Sequence, residues 1–330
     1  MKRTLLSIVA MAAMTATALA ADVKPAIIYD LGGKFDKSFN ESAYNGAEKF
    51  KADTGIAYRD FEIQNDAQRE QALRRFARDG NNPIVMAGFS WAAALEKVAP
   101  EYPDTNFAII DMVVDQPNVR SVVYKEQEGS YLVGVMAALA SDSDTVSFIG
   151  GMDIPLIRKF ACGYVGGVKA TNPDATVLEA MTGTTPDAWN DPVKGGEIAK
   201  SQIAQGSDVV YAAAGGTGIG VLQAAASEGK LGIGVDSNQN GLQPGSVLTS
   251  MLKRVDVAVY NAFNDAKEGD FSHGFNVLGL AENGVDYAMD ENNAGLVSDD
   301  MRAAVEKAKA DIIAGNIVVH DYMSDETCPY

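Results

Sequence analysis

Short apolar runs alternate with longer segments of helical periodicity from Pro25 onward. The apolar runs are nearly continuous and rich in β-branched residues, which is typical of strands buried on both faces of a parallel sheet. In the segments between them, apolar residues recur at helical spacing. Strands that alternate with helices predict parallel β-α-β units, with the helices covering both faces of each sheet.

The alternation falls into two series, each long enough to form a sheet of its own. The strand candidates of the first series are PAIIYD, IAYRDFEI, PIVMAG and NFAIID, and those of the second are TVSFIGG, ATVLEAM, DVVYAA and LGIGVD. The predicted helices cover residues 38–52, 67–78, 91–98, 156–170, 192–204 and 218–227. The first helix is expected to begin with a capping box formed by Ser38 and Glu41.

Further ordered segments connect the two series. Residues 121–140 contain a strand that leads into a helix, and two later extended runs read SVLTSMLKR and FNVLGLA. Such connections indicate that the chain passes between two lobes more than once. The sequence therefore predicts an α/β fold with two doubly wound parallel-sheet lobes in a hinged clamshell. We expect the N-terminal lobe to contain residues 21–125 plus about 250–275, and the C-terminal lobe residues 126–249 plus about 276–330.

The first twenty residues are typical of a secretory signal. Lys2 and Arg3 precede an apolar run from Leu5 to Met14, and a small-x-small cleavage motif ends at Ala20. This pattern predicts that residues 1–20 are a cleaved signal peptide and that the protein is exported. A membrane-anchoring helix is the alternative interpretation of the same segment.

Composition and charge narrow the classes of function. The chain has 330 residues, with 44 acidic against 27 basic ones and a net charge of −17. This excess argues against a nucleic-acid polymer as a partner, because phosphate binding needs clustered lysine and arginine. Two histidines and two cysteines leave little room for a metal site or a catalytic triad, so we expect neither metal nor cofactor. Cys162 and Cys328 are predicted either to form a disulfide in an oxidising compartment or to stay as free buried thiols.

Polar and aromatic residues collect at the carboxyl ends of the predicted strands, where open α/β sheets bind their ligands. The set combines carboxylates, aromatic rings and a carboxamide: Asp30, Phe39, Asn40, Asp111, Trp189 and Asp236. Taken singly, each has an alternative explanation as a turn, cap or core residue. Their coincidence at the same sheet edges predicts a cleft for a flat heterocycle that carries a hydroxylated sugar.

Long motifs between about residues 25 and 285 resemble the basic membrane protein (BMP) family of ABC transporter substrate-binding proteins, which is similar to bacterial purine nucleoside receptors. The motifs are DLGGKFDKSFNESAYNGAEKF, NFAIIDMVVDQPNVRSVVYKEQEGSYLVGVMAA, FIGGMDIP, AWNDPVKGGEIA, DVVYAAAGGTGIGV, IGVDSNQ and LTSMLKRVDVAV. The resemblance implies a type I periplasmic-binding clamshell without catalytic activity. It also implies a nucleoside ligand and delivery to an ABC transporter permease. We therefore expect a periplasmic monomer that associates loosely with the inner membrane through the transporter.

The resemblance assigns a role to each residue near the base of the ligand. Asp30 and Asn40 would bind the edge of the base, and Phe39 would stack on one of its faces. Asp111 would line the same site. Trp189 would stand where the family has a second stacking aromatic.

The resemblance also implies residues for the sugar. Asp236 would accept hydrogen bonds from ribose hydroxyls, and Lys253 would donate a hydrogen bond to the ribose. Taken singly, Lys253 could instead be an ordinary solvated lysine. Gly215 would let the backbone approach the ligand. Ala20-Ala21 stands where many relatives carry a lipid-modified cysteine, so we expect a freely diffusing protein.

Other classes of function fit the sequence less well. AAAGGTGIGV follows a strand as in a dinucleotide-binding fingerprint, but Val221 occupies the place of the third glycine. A hydrolase needs a placed base, and both His273 and His320 lie outside the predicted strand ends. A receptor for a sugar or another small hydroxylated ligand is therefore the main alternative, and an exported hydrolase a distant one.

Overall fold

Two mostly parallel sheets form the framework of residues 23–330, the part of the chain that the computed structural model describes. The predicted signal peptide lies outside these residues. The strands, in chain order, are β1 (Ala26–Tyr29), β2 (Arg59–Glu62), β3 (Ile84–Met86), β4 (Phe107–Ile110), β5 (Val119–Tyr124), β6 (Thr145–Met152), β7 (Thr176–Gly183), β8 (Val209–Ala213), β9 (Leu231–Asp236), β10 (Val247–Lys253), β11 (Gly274–Leu278) and β12 (Val285–Tyr287). The first six-stranded sheet has the order β11-β5-β4-β3-β1-β2, and the second has the order β12-β10-β9-β8-β6-β7. Only the pair β10–β12 is antiparallel among the described strands.

Helices separate the strands along most of the chain. They are α1 (Phe39–Thr54), α2 (Arg69–Arg78), α3 (Ala92–Val98), α4 (Glu126–Ala140), α5 (Pro155–Thr171), α6 (Pro192–Ala204), α7 (Thr217–Ser227), α8 (Val255–Glu268) and α9 (Asp299–Ile313). Residues that alternate along β1 enter different cores: Ala26 and Ile28 pack in one apolar cluster, and Ile27 and Tyr29 in another. Helices therefore cover both faces of the first sheet, as the near-continuous apolar strands predicted.

The chain passes between the sheets at three neighbouring points, after β5, β10 and β11. The backbone N–H of Lys125 donates to the carbonyl of Leu278 (3.0 Å), and that of Arg254 donates to the carbonyl of Gly284 (2.8 Å). The hydroxyl of Tyr124 donates to the carbonyl of Arg254 at 3.2 Å. The three crossovers thus form one hydrogen-bonded bundle beside the cleft.

Strand pairing places two of these crossovers later than the sequence-based lobe boundaries. The predicted boundary near residue 250 falls inside β10, which pairs only within the second sheet. The predicted boundary between 275 and 276 falls inside β11, which pairs with β5 of the first sheet over residues 274–278. Hydrophobic pattern alone predicts that a segment is a strand, but the ladder hydrogen bonds decide which sheet it joins.

The capping box predicted at the start of α1 is wrong. Ser38 makes no side-chain bond to the helix, and its hydroxyl turns away to Asp236. The carboxylate of Asp36 takes over the cap, since it accepts from the backbone N–H groups of Ser38, Asn40 and Glu41 at 2.8, 3.0 and 3.0 Å. A carboxylate suits this place because it satisfies free N–H groups and complements the positive end of the helix dipole.

A disulfide between Cys162 on α5 and Cys328 fastens the last residues of the chain to the second lobe, with a Cα–Cα distance of 5.6 Å. The ring of Tyr330 lies against α5 where Gly166 leaves room, because a Cβ there would come within 2.7 Å of that ring. Within residues 23–330, no helix is long and apolar enough to cross a bilayer.

Helices α4 and α5 approach each other through glycines. A Cβ added to Gly167 would lie 2.0 Å from the carbonyl oxygen of Tyr131, and one added to Gly134 would lie 2.3 Å from that of Tyr164. Backbone atoms cannot yield to such a group without the helices moving apart. Small residues at these positions therefore set the distance between the helix that leaves the crossover and the helix that lines the cleft.

We predict that Gly167→Ala lowers the free energy of unfolding by about 1–3 kcal/mol, because the added methyl overpacks this contact. Gly295→Ala is the matched control, since a Cβ there meets nothing within 4 Å. Urea titrations followed by circular dichroism compare the two variants with the wild type. Equal midpoints for Gly167→Ala and Gly295→Ala would contradict the prediction.

Candidate functional site

A cavity lies between the carboxyl ends of the two sheets and has about 630 Å³ of empty space when the open solvent at its mouth is included. Every residue that the sequence predicted for the site lines it: Asp30, Phe39, Asn40, Asp111, Trp189, Gly215, Asp236 and Lys253. Strand ends from both lobes thus bring together residues up to 223 positions apart along the chain.

Asn40 braces the loop that follows β1. Its Nδ2 donates to the carbonyls of Asp30 (3.2 Å) and Gly33 (3.1 Å), and its Oδ1 accepts from the backbone N–H of Asp30 at 3.4 Å. Both Nδ2 protons are therefore used within the loop, and the acceptor Oδ1 keeps spare capacity. Asp30 itself turns one carboxylate oxygen to its own loop, where it accepts from the N–H of Leu31 at 2.8 Å.

Each lobe contributes aromatic rings to the cavity. Phe39 is the first residue of α1, and Trp189 ends a 3-10 turn that follows β7. The indole of Trp189 lies directly on Gly151, where a Cβ would come within 2.1 Å of the ring. Gly215, with φ of 57°, passes the backbone of Trp189 so closely that a Cβ would lie 3.3 Å from its carbonyl oxygen. Gly215 was expected to make room for a ligand, and in the structure it also makes room for Trp189.

Lys253 is buried beside the cavity between two carboxylates. Its Nζ lies 2.7 Å from Asp111 Oδ1 and 2.9 Å from Glu126 Oε1. Glu126 also contacts Nζ of Lys159 at 3.0 Å, so charges of opposite sign alternate through the interior. Burial alone would lower the pKa of Lys253, but Asp111, Glu126 and Asp236 raise it above its ordinary value. Lys253 is thus a fixed positive charge with one of its three protons left over.

Aromatic rings surround the same ammonium group. Nζ of Lys253 lies 5.3, 5.0 and 5.5 Å from the ring centroids of Phe39, Tyr124 and Phe160. Cation–π attraction at these distances adds to the ion pairs. The charged group of Lys253 therefore lies beside the cavity among aromatic rings.

Hydrogen bonds also join the two lobes at Asp236, which lies next to Lys253 on the neighbouring strand. The hydroxyl of Ser38 donates to Oδ2 of Asp236 at 2.5 Å, the hydroxyl of Ser237 donates to the carbonyl of Ser38 at 2.8 Å, and Nε2 of Gln239 donates to the carbonyl of Lys37 at 2.9 Å. These residues lie on the loop before α1, at the end of β9 and on the loop that follows β9. We call this group of contacts the interlobe latch.

Two of the cleft aspartates have unusual backbones. Asp111 and Asp236 adopt left-handed conformations with φ of 71° and 62°. Aspartate tolerates this region better than most residues, and such strain collects at functional sites.

Burial raises the pKa of Asp236 to about 6, against the opposing effects of Lys253 and Ser38. Burial likewise raises the pKa of Asp36 to about 6, although three backbone N–H groups oppose it.

Several residues of the site were not singled out from the sequence. Phe160, Leu156 and Ile157 line the cavity from α5, whose apolar residues leave open which face meets the cleft. Asp36 precedes the first helix by three positions, and its place in the KFDKSFN motif was a usable signal for a helix cap. Glu126 had no such signal, because an acidic residue in the first turn of a helix is ordinary.

No group of histidine, cysteine and acidic side chains with the arrangement of a metal site occurs in residues 23–330. The acids of the cavity are bonded to Arg69, Lys253, Ser38 or backbone N–H groups instead. What the arrangement offers is hydrogen-bond acceptors and aromatic faces in one cleft. These groups suit recognition of a planar, hydroxylated molecule.

Asp236→Asn is predicted to gain stability relative to the wild type as the pH rises from 4 to 7. The folded wild type binds the Asp236 proton more tightly than the unfolded chain does, since the pKa rises from 3.8 to about 6 on folding. Its free energy of unfolding therefore falls across this window, by up to roughly 3 kcal/mol from this group. Asparagine keeps the bond from Ser38 without a charge.

Urea unfolding of both proteins at pH 4.5 and 7.5 measures this difference. Asp311→Asn is the control with the opposite sign, because Lys307 holds the pKa of Asp311 below its usual value at the surface. A stability difference between wild type and Asp236→Asn that does not change with pH would refute the prediction.

Comparison with known proteins identifies the family. A model of PnrA-like ABC transporter substrate-binding proteins, named Bmp, matches residues 25–321. The chain is 35% identical over 323 residues to the CD4+ T-cell-stimulating antigen of Listeria monocytogenes, covering 90% of this chain and 88% of that protein. It is 34% identical over 323 residues to the ABC transporter nucleoside-binding protein BmpA of Lactococcus lactis, covering 90% and 89%.

The solved structures agree with the sequence comparison. An ABC transporter solute-binding protein from Aeropyrum pernix K1 superposes with a TM-score of 0.83 at 32% identity, covering 90% of this chain and 94% of that one. The predicted two-lobe α/β fold and the predicted family are both confirmed. Proteins of this class bind a solute and work with transporter permeases. The chain therefore belongs to the Bmp family of PnrA-like ABC transporter substrate-binding proteins.

Proposed function

We propose that this protein captures a nucleoside with a purine base in the interlobe cleft and delivers it to the permease of an ABC importer. The observation that carries the proposal is the meeting of aromatic rings from both lobes with carboxylates at the same strand ends. The nucleoside-binding relative from Lactococcus lactis supports it. We infer that the protein acts in the periplasm as a monomer and catalyses no reaction.

The base lies against the aromatic residues. Phe39 from the first lobe and Trp189 from the second present ring faces, and base–aromatic stacking contributes on the order of 1–3 kcal/mol per ring. Asp30 accepts from an N–H group at the edge of the base. Asn40 contributes chiefly by bracing the loop of Asp30, and its Oδ1 offers one further acceptor.

The sugar lies near the charged side chains of Asp236 and Lys253. Asp236 has one carboxylate oxygen in the latch with Ser38, and its other oxygen accepts from a ribose hydroxyl. Lys253 donates its remaining proton to the ribose, while Asp111 holds it in place. Closure of the lobes by the interlobe latch then removes the ligand from water.

The charge of the cavity selects against phosphorylated ligands. Four of the lining residues are aspartates, and Lys253 is the one cation among the described lining residues. Its charge is already matched by Asp111 and Glu126. A phosphate in this cleft would lose its hydration without gaining a free cation. The site therefore suits nucleosides and excludes nucleotides.

A thermal-shift screen of the purified protein tests the proposed ligand. We expect purine nucleosides to raise the unfolding midpoint, since a ligand at 100 times its dissociation constant adds about 2.7 kcal/mol of stability. Inosine 5′-monophosphate, ribose and free bases should give smaller shifts at the same concentration. A shift with ribose and none with any nucleoside would overturn the proposal in favour of a sugar receptor.

Phe39→Ala should weaken binding of every purine nucleoside by about 10- to 100-fold, because stacking does not depend on the substituents of the base. Phe275→Ala is the matched control, since that ring is 61% exposed on β11, away from the cavity lining. Isothermal titration calorimetry gives both affinities. Unchanged affinity in Phe39→Ala would remove Phe39 from the site.

A further inference from the structure

The two carboxylate oxygens of Asp30 have different surroundings. Oδ1 accepts from the backbone N–H of Leu31 at 2.8 Å and from Nη2 of Arg69 at 2.6 Å. Oδ2 accepts no hydrogen bond from the described residues and lies beside Gly88, where an added Cβ would come within 2.4 Å of it. Asp30 and Gly88 both line the cavity. One oxygen is therefore bound within the lobe, and the other is left for a ligand.

Arg69 reaches Asp30 from behind the cavity. It is the first residue of α2, its side chain is 6% exposed, and it does not line the cavity. Its Nη2 and Nε also donate to Oδ1 of Asp66 at 2.8 and 3.1 Å. The guanidinium carbon lies 4.8 Å from the ring centroid of the buried Trp91. Two carboxylates and an aromatic face thus hold one planar cation in a single orientation.

This arrangement needs an arginine. A guanidinium stacks on an aromatic face and donates in a fixed fork, whereas an ammonium on a flexible stem does neither. Because Arg69 and the N–H of Leu31 hold Oδ1, the Asp30 carboxylate cannot turn out of this plane without losing a charge-assisted bond. An ionised carboxylate only accepts hydrogen bonds, so Oδ2 matches an N–H donor and rejects a ligand acceptor.

We propose that Arg69 is a positioning residue that sets the selectivity of the cleft for ligands bearing an N–H donor at the edge of the base, acting through Asp30. The inference rests on the proposed nucleoside function and adds to it a residue outside the cavity. A ligand without the donor leaves the Asp30 oxygen unpaired in the closed cleft, and such mismatches give large discrimination. Selectivity therefore depends on α2, none of whose residues 69–78 lines the cavity.

The test compares two nucleosides by calorimetry on the full chain. Inosine has a ring N–H beside its carbonyl group, and purine riboside has no N–H donor on its base. We expect Arg69→Lys to reduce the ratio of their dissociation constants at least tenfold, chiefly by weakening inosine, while purine riboside changes less than threefold. Arg74→Lys is the matched control on the same helix, since Arg74 pairs with Glu70 and Glu101 at the surface.

A purely structural role of Arg69 gives a different result. If Arg69 only stabilised α2, Arg69→Lys would weaken both nucleosides equally and leave their ratio unchanged, and that outcome overturns the proposal. Circular dichroism melts confirm that each variant is folded at the titration temperature. If Arg69→Lys does not fold, Asp66→Asn takes its place, because it loosens the same guanidinium from its exposed partner. Asp66→Asn should shift the ratio of dissociation constants in the same direction. An unchanged ratio in that variant likewise overturns the proposal.

A double-mutant cycle with Asp30→Asn separates this role from the function itself. With Asp30 already neutral, adding Arg69→Lys should change the ratio less than twofold, whereas independent effects would multiply and contradict action through Asp30. Failure of wild-type protein to bind either nucleoside would overturn the proposed function. Wild-type discrimination that survives Arg69→Lys would overturn only the role of Arg69.

Discussion

The position of Lys253 between Asp111 and Glu126 is the interaction on which the rest of the structure depends. Its three members come from the end of β4, the start of α4 and the end of β10, so they join both lobes where two crossovers leave them. Lys159, which pairs with Glu126, also donates a hydrogen bond from its Nζ to the carbonyl of Tyr124 at 2.7 Å. Removing one partner of a buried pair typically costs 3–5 kcal/mol, because a bare charge remains. Two members of this group, Lys253 and Asp111, also line the cleft.

This constraint explains why the cleft has the chemistry that it has. Lys253 cannot attract an anion, because its charge is already balanced inside the protein. The aspartates at the other strand ends are then free to act as acceptors only, and the aromatic rings supply contact area without charge. Recognition follows from shape and from hydrogen-bond donors on the ligand. The acidic surface of the protein, with its net charge of −17, has little part in it.

Much of this could be predicted from the sequence because it depends on local patterns. Helices 192–204 and 218–227 match α6 and α7 to within one residue, and the strand ends converge because parallel strands share an edge. What sequence could not predict depends on partners far away in the chain. Ser38 leaves its helix for Asp236, so the capping box fails, and Arg69 meets Asp30 only after the first sheet has formed. Two crossovers lie later in the chain than predicted for the same reason, since the hydrogen-bonded partner strand decides to which sheet a strand belongs.

The interleaving of the lobes has a consequence for synthesis. A chain that leaves the ribosome from its N-terminus reaches residue 124 with five strands of the first sheet made, yet the edge partner of β5 appears only at residues 274–278. Helix α8, which covers the face of α1 at Gly46, also comes after the second sheet has been largely translated. An early nascent chain therefore exposes an open strand edge and an apolar helix face, which are sites of aggregation. The two lobes reach completion nearly together, and a ribosome that stalls midway releases neither of them in a finished form.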